Sequence, residues 1–248
     1  GFVIANYLTT TPFTAYGNID ISSTGVTSSG VGLIYLTSAL TSTAGNITLT
    51  TTSTSTSSTT NPGVSSLAAG TITANAGTIT INSNSNASAA VALAGTLSAK
   101  RIAITGTATT ATSIVTLGAM TIVAGGSDIS VTAMNSAGGA NAGITQTGTI
   151  TDNAVGSNIS FVSNNIINQS GSIALVANAS STPANILYDT TAGIKSSNIT
   201  TGIVTIAAGS NVSTINYTAK SAGSAINPNS IGTSALPLPG SITLDNTF

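Results

Sequence analysis

The residues able to do chemistry in this 248-residue chain are few and scattered. Its acids are Asp20, Asp128, Asp152, Asp189 and Asp245, and its bases are Lys100, Arg101, Lys195 and Lys220. His, Cys, Trp and Glu do not occur. That inventory excludes thiol nucleophiles, imidazole general bases, disulfides, and zinc or haem centres built on His or Cys. Two carboxylates brought together could still hydrolyse a glycosidic bond, as clustered aspartates do in pectin-cleaving β-helices. Here no two acids lie within twenty residues of each other, and their spacing gives no two of them the same phase of a repeat, so each reads as a surface or turn aspartate. Gly125-Gly126-Ser127-Asp128 approximates the calcium-binding nonapeptide, but that site needs tandem copies and this motif occurs once. The expectation is a non-enzymatic protein with no cofactor and no metal.

The abundant functional groups are hydroxyls and amides. The chain holds 45 Thr, 36 Ser and 23 Asn. Asn-x-Ser/Thr occurs at Asn46, Asn86, Asn158, Asn168, Asn178, Asn198, Asn211 and Asn216, about the number chance predicts at this composition, and glycosylation needs a host that performs it. Thr-x-Thr pairs at Thr48/Thr50, Thr71/Thr73, Thr78/Thr80, Thr107/Thr109 and Thr149/Thr151 raise an ice-binding face, which requires the pair at one position in successive repeats. Measured from the repeat positions given below, these pairs scatter. Ice binding and carbohydrate binding are therefore minor alternatives, the latter also lacking an aromatic or acidic cluster. Four basic residues and a net charge of −1 cannot neutralise a row of phosphates, which argues against nucleic acid. No apolar run approaches the roughly 18 residues of a membrane helix. Lys100-Arg101 reads as a solvated corner.

The elements that carry these groups are strands. Apolar residues alternate with polar ones at Ile19-x-Ile21, Ile47-x-Leu49, Ile79-x-Ile81, Ile102-x-Ile104, Ile129-x-Val131, Ile159-x-Phe161, Ile173-x-Leu175, Val204-x-Ile206 and Ile242-x-Leu244. Most follow a Gly by one to three residues, which predicts positive-φ corners before the strands. No helical stripe survives two turns. With 41% apolar residues and recurrent β-branched side chains, the chain can bury a core despite only 4% charge.

A longer period emerges from Leu40, Leu67, Leu93, Leu117, Ile144, Ile167 and Ile194, whose mean spacing is (194 − 40)/6, about 25.7 residues. A helix-free repeat of that length is one coil of a parallel β-helix. Nine to ten coils would make a rod of about 45 Å. The ends differ: residues 1–39 read as an N-terminal cap or docking segment, 40–220 as repeats and 221–248 as a C-terminal cap or junction with Pro228, Pro237 and Pro239. Four of nine aromatics fall in residues 1–16, so Phe2, Ile4, Tyr7, Phe13 and Tyr16 are self-association candidates, acting as a cap or as a strand added to a neighbour. The Ser/Thr run Thr50–Thr60 reads as an ordered loop or outer strand. The start at Gly1 suggests a processed or excised chain. A β-sandwich filament subunit joined by donor-strand exchange is the alternative fold; it explains the aromatic start and leaves the period unexplained.

Strings such as AGNITLTTTS, TITANAGTITINSNS, GITQTGTITD and NIINQSGSIALVANAS resemble the haemagglutinin-type repeats of filamentous haemagglutinin and related bacterial surface exoproteins over about residues 40–215. That family's NPNG-bearing secretion domain has no counterpart, Asn227-Pro228-Asn229-Ser230 lying near the other end. The resemblance implies a secreted, right-handed β-helix at the cell surface: an adhesin shaft or extracellular fibre, partnered by identical subunits, by adjoining segments of a longer chain, or by a host or neighbouring cell.

Overall fold

β-Branched residues alternating with polar ones favour a pleated strand, whose successive side chains point to opposite sides. The computed structural model describes residues 2–3, 7–9, 11–26, 33–54, 62–86, 89–109, 113–136, 142–175, 184–191, 199–206, 214–220, 226–228 and 241–247. Within them the chain is all-β and winds into a parallel β-solenoid, with no helix among the described residues. One sheet has 16 strands and the other nine. Every strand pairing is parallel, which excludes the β-sandwich alternative, because a sandwich is built on antiparallel pairs.

Each coil has three strand positions. The long face stacks Ile19–Gly25, Ile47–Ser53, the later halves of Ile72–Ser85 and Leu97–Ala108, Asp128–Asn135, Asn158–Ser163, Asn185–Asp189, Thr214–Lys220 and Ser241–Thr247. A second face runs from Tyr7–Thr9 through Ile34–Leu36, Val64–Ser66, Val91–Leu93 and Ser113–Leu117 to Ile226–Asn227. The third carries Phe13–Ala15, Leu40–Ser42, the first halves of the two longest strands, Met120–Ile122, Ile150–Asp152, Ile173–Leu175 and Val204–Ile206.

Register turns the sequence pattern into columns. Ile19, Ile47, Ile79, Ile102, Ile129, Ile159, Ile186, Ile215 and Ile242 stand directly above one another, an isoleucine in every coil of that column. All but Ile242 are buried. Two residues on, the next inward column reads Ile21, Leu49, Ile81, Ile104, Val131, Phe161, Tyr188, Tyr217 and Leu244. Its three aromatics form a parallel stack, Phe161 to Tyr188 at 5.3 Å and Tyr188 to Tyr217 at 5.0 Å between ring centres. The Tyr188 hydroxyl donates to Gln169 Oε1 at 2.9 Å, and Gln169 Nε2 donates to Gln146 Oε1 at 3.2 Å, so the second face contributes a buried glutamine ladder to the same core. Like side chains stacked at about 4.8 Å are mutually satisfying when they are aliphatic, aromatic or amide.

The coil is longer than the sequence spacing indicated. From Ile19 to Ile242 the mean interval is (242 − 19)/8, about 28 residues, with single intervals from 23 to 32. The marker residues come from different positions: Leu40 lies on the third face, Leu93 and Leu117 end strands of the second, and Ile144 and Ile167 sit two residues earlier in that strand position. Starting late and finishing early shortened the mean. Ile194 lies outside the described residues.

The glycines also work differently from expectation. Positive φ occurs among the described glycines only at Gly125 and Gly156. At most other described positions, though not at Gly17 or Gly25, Gly is required by close approach, most clearly at the corner between the second and third faces, where Gly70, Gly95, Gly118, Gly148, Gly171 and Gly202 succeed one another. A Cβ at Gly171 would run into the carbonyl of Gly148, and one at Gly202 into that of Gly171.

Both end segments carry stacked strands. Phe2–Val3, Tyr7–Thr9 and Phe13–Ala15 pair in parallel with the long, second and third positions of the following coil, and Ser241–Thr247 pairs along its length with Thr214–Lys220. Thr50 to Ser53 complete a long-face strand, while residues 55–60 lie outside the described residues, as do Pro237 and Pro239.

Candidate interaction surface

Because the inward positions are packed with side chains, the groups of the described coils that could act on a partner are those of outward columns and corners, beside the buried polar side chains. The acids stay separate. Asp152 lies inward on the third face, between Ile122 and Leu175, and is 1% exposed. It accepts a hydrogen bond from the Ala154 N–H at 3.0 Å and another from the Ser157 hydroxyl, folding the corner that contains Gly156. Burial pushes its carboxyl above the ordinary range, and those two hydrogen bonds pull it partly back. Asp189 and Asp245 do share one phase, contrary to the sequence expectation: Thr218 stands between them in a single outward column. Two coil spacings, about 10 Å, separate them, too far to share a ligand or a proton. Among the described residues no group of three or more His, Cys, Asp or Glu could hold a metal.

The Asp152 shift sets a pH dependence. A raised carboxyl binds its proton more tightly in the fold than in the unfolded chain, so stability declines as pH rises from the ordinary carboxyl range through the folded value, then levels off. The melting temperature is expected to be higher in mild acid than at neutrality, and Asp152→Asn is expected to flatten that difference. An unchanged pH profile in the variant would show that Asp152 does not set it.

Polar side chains cross-link the coils at the start of the long strands. Arg101, Asp128, Asn158, Asn185 and Thr214 stand in register. Arg101 Nε lies 3.7 Å from Asp128 Oδ2, Asn158 Nδ2 donates to Asp128 Oδ1 at 3.0 Å, Asn185 Nδ2 to Asn158 Oδ1 at 2.9 Å, and the Thr214 hydroxyl to Asn185 Oδ1 at 2.5 Å. Lys100 and Arg101 both lie exposed in Leu97–Ala108, where its two halves meet, which fits the solvated-corner reading, and Arg101 also opens this ladder. The same column lower down uses Asn18 and Asn46, whose Oδ1 atoms accept from the backbone N–H of Asn46 and Thr78.

The outward middle of the long face is different. In successive coils Ser22, Thr50, Asn82, Thr105 and Thr132 form one column, and Thr24, Thr52, Asn84, Thr107 and Met134 form the next. A shallow trough of about 230 Å³ runs between them over Thr51 and Ser83. The third face places Thr71/Thr73 and Thr149/Thr151 at one shared position, whereas Thr48/Thr50, Thr78/Thr80 and Thr107/Thr109 fall at three different positions along the long face, as their spacing indicated. The shared positions were invisible in sequence because unequal corner lengths hide the register.

Of the self-association candidates, Phe13 is 46% and Tyr16 83% exposed. Phe2 and Tyr7 fall in strands, and Ile4 lies outside the described residues. No helix of the described residues is long and apolar enough to cross a membrane.

Columns, corners and outward hydroxyls together define a β-solenoid repeat protein. Comparison with protein families, with curated proteins and with solved structures gave no match, so the solenoid architecture is the level at which the chain is classified.

Proposed function

We propose that the chain is a non-enzymatic, secreted structural and adhesive protein: a self-associating segment or subunit of a cell-surface filament or adhesin shaft. The observation that carries this reading is the unbroken column of nine isoleucines, flanked by stacked aromatics and cross-linked by the outward amide ladder. Such a stack makes a stiff rod whose backbone hydrogen bonds lie along its axis. Low charge suits it, since like charges stacked at coil spacing repel. The resemblance of the Asn/Thr/Ile strings to haemagglutinin-type repeats supports the cell-surface location. The partners are identical subunits, adjoining segments of a longer chain, or another cell's surface; neither nucleic acid nor a membrane span is part of the reading. Scattered acids and the missing imidazoles support a role without catalysis.

Negative-stain electron microscopy of the native material, paired with its subunit mass, tests it. Regular fibres of roughly 24 kDa copies, or rods of far greater chain mass, are the expected results. Compact isolated particles that neither elongate nor adhere would end the proposal. Deleting residues 1–16 then asks whether that segment joins subunits: loss of polymers with an intact fold makes it the joint, and unfolding makes it a cap.

A further inference from the structure

We propose that the outward middle of the long face is an ice-binding surface, on which the columns through Thr50 and Thr52 hold water in a lattice that merges with ice. This goes beyond a shaft role and does not depend on it.

Four observations lead there. First, the array repeats in two directions. Coils follow at about 4.8 Å, and alternate residues along a strand at about 6.7 Å, so the two columns form a rectangular grid. The prism face of hexagonal ice presents oxygens on a rectangular grid of closely similar dimensions. Registration is continuous over the five strands from Ile19–Gly25 to Asp128–Asn135, the only shift falling at the corner between Ala99 and Arg101. The grid therefore extends about 19 Å along the axis.

Second, its polar groups are unspent. Among the described residues, Thr50, Thr52, Asn82, Asn84, Thr105 and Thr107 make no side-chain hydrogen bond, whereas the column from Arg101 to Thr214, two outward positions earlier on the same face, is bonded from coil to coil. The same sheet thus uses its polar groups in opposite ways at its start and at its middle. Third, the face is uncharged across the three coils that line the trough, which suits a neutral lattice and offers nothing to a phosphate or sulfated glycan. Nor does it hold an aromatic ring on which a sugar could stack. Fourth, the trough between the columns gives water a place to order in file, bounded by threonine methyls and hydroxyls in its outer coils and by the amides of Asn82 and Asn84 in the middle one. Threonine is stiff at χ1, so its methyl and hydroxyl are positioned before contact and little side-chain entropy is lost on binding.

The test uses the purified chain in an ice-recrystallisation assay, with incorporation of the fluorescently labelled protein into a growing ice hemisphere as a second readout. Wild type is expected to keep crystals small and to enter the ice. Thr50→Lys and Thr105→Lys are expected to lose most of that activity, and Thr145→Lys on the second face to retain it, with circular dichroism confirming the fold of each. If a lysine variant fails to fold, the double variant Thr50→Ser/Thr105→Ser, which keeps the hydroxyls and removes the methyls, is expected to lose activity several-fold. Exclusion of the wild-type protein from ice, or equal activity in folded array variants, overturns the proposal. Pull-down by an insoluble neutral polysaccharide that Thr105→Lys abolishes, without any effect on ice, overturns it in favour of a glycan site. Neither result bears on whether the rod is a shaft.

Discussion

Gly171→Val is expected to destabilise the solenoid by about 3 kcal/mol or more, because the new side chain meets backbone that has no rotamer to give way. The nearest obstacles are the carbonyl oxygen and carbon of Gly148 and the Thr147 carbonyl, all main-chain atoms of the preceding coil. Relief requires two coils to separate at the corner, and the Gln169 Nε2 hydrogen bond to the Gly171 carbonyl would go with it. Since each coil touches only its neighbours, damage should stay local. Hydrogen exchange is expected to rise in the strands Ile150–Asp152 and Ile173–Leu175 and to remain slow around Ile79 and Ile102. Gly17→Ala supplies the control, for nothing lies within 4 Å of its Cβ, and its effect should stay within about 0.5 kcal/mol. A Gly171→Val protein that melts with the wild type would show that this corner is not closely packed.

Tyr188→Ala should cost about 3–5 kcal/mol, the range for deleting a buried aromatic. Its ring stands between Phe161 and Tyr217 with planes 10° and 4° from parallel, so truncation breaks two stacking contacts and opens a void that rigid coils cannot close. Tyr188→Phe should cost only about 1 kcal/mol, since Gln169 Oε1 keeps the Gly202 N–H donor at 3.2 Å. Denaturant melts of the two variants separate stacking from hydrogen bonding. Burial, reinforced by the Tyr217 phenol, holds the Tyr188 hydroxyl well above its ordinary value, and burial raises Tyr217 as well, partly offset by Thr201. Above the ordinary phenol range the unfolded chain ionises while the fold does not, so stability falls with rising pH there. Tyrosinate absorbance from these two residues is therefore expected to appear together with unfolding. Its appearance while the strands remain intact would mean that the stack admits water.

The inward columns were largely legible in the sequence, since alternation of Ile with a second apolar residue marks a strand with one buried face. Seven of the nine pairs found this way occupy the long face. Ile173-x-Leu175 and Val204-x-Ile206 carry the same pattern and belong to the short third face, because alternation reports burial and not which wall of the coil a strand joins. Two long-face strands escaped notice because Tyr188 and Tyr217 replace the second aliphatic residue. The glycine corners were recognised as glycine positions for the wrong reason: composition cannot separate a positive φ from a backbone contact with the next coil. Outward alignment was beyond reach. Thr50 meets Asn82 after 32 residues and Asn82 meets Thr105 after 23, so a fixed period places neighbours of the grid several residues apart. For the same reason Asp189 and Asp245 looked unrelated.

The isoleucine column makes successive coils interchangeable. Removing the 30 residues from Ile129 to Asn158 would set Ile159 on Ile102, one isoleucine on another, with corner loops absorbing any difference in length. A gene encoding such a chain can gain or lose coils by unequal recombination without composing a new core each time. Rod length then becomes the heritable trait, adjusted in steps of about 4.8 Å.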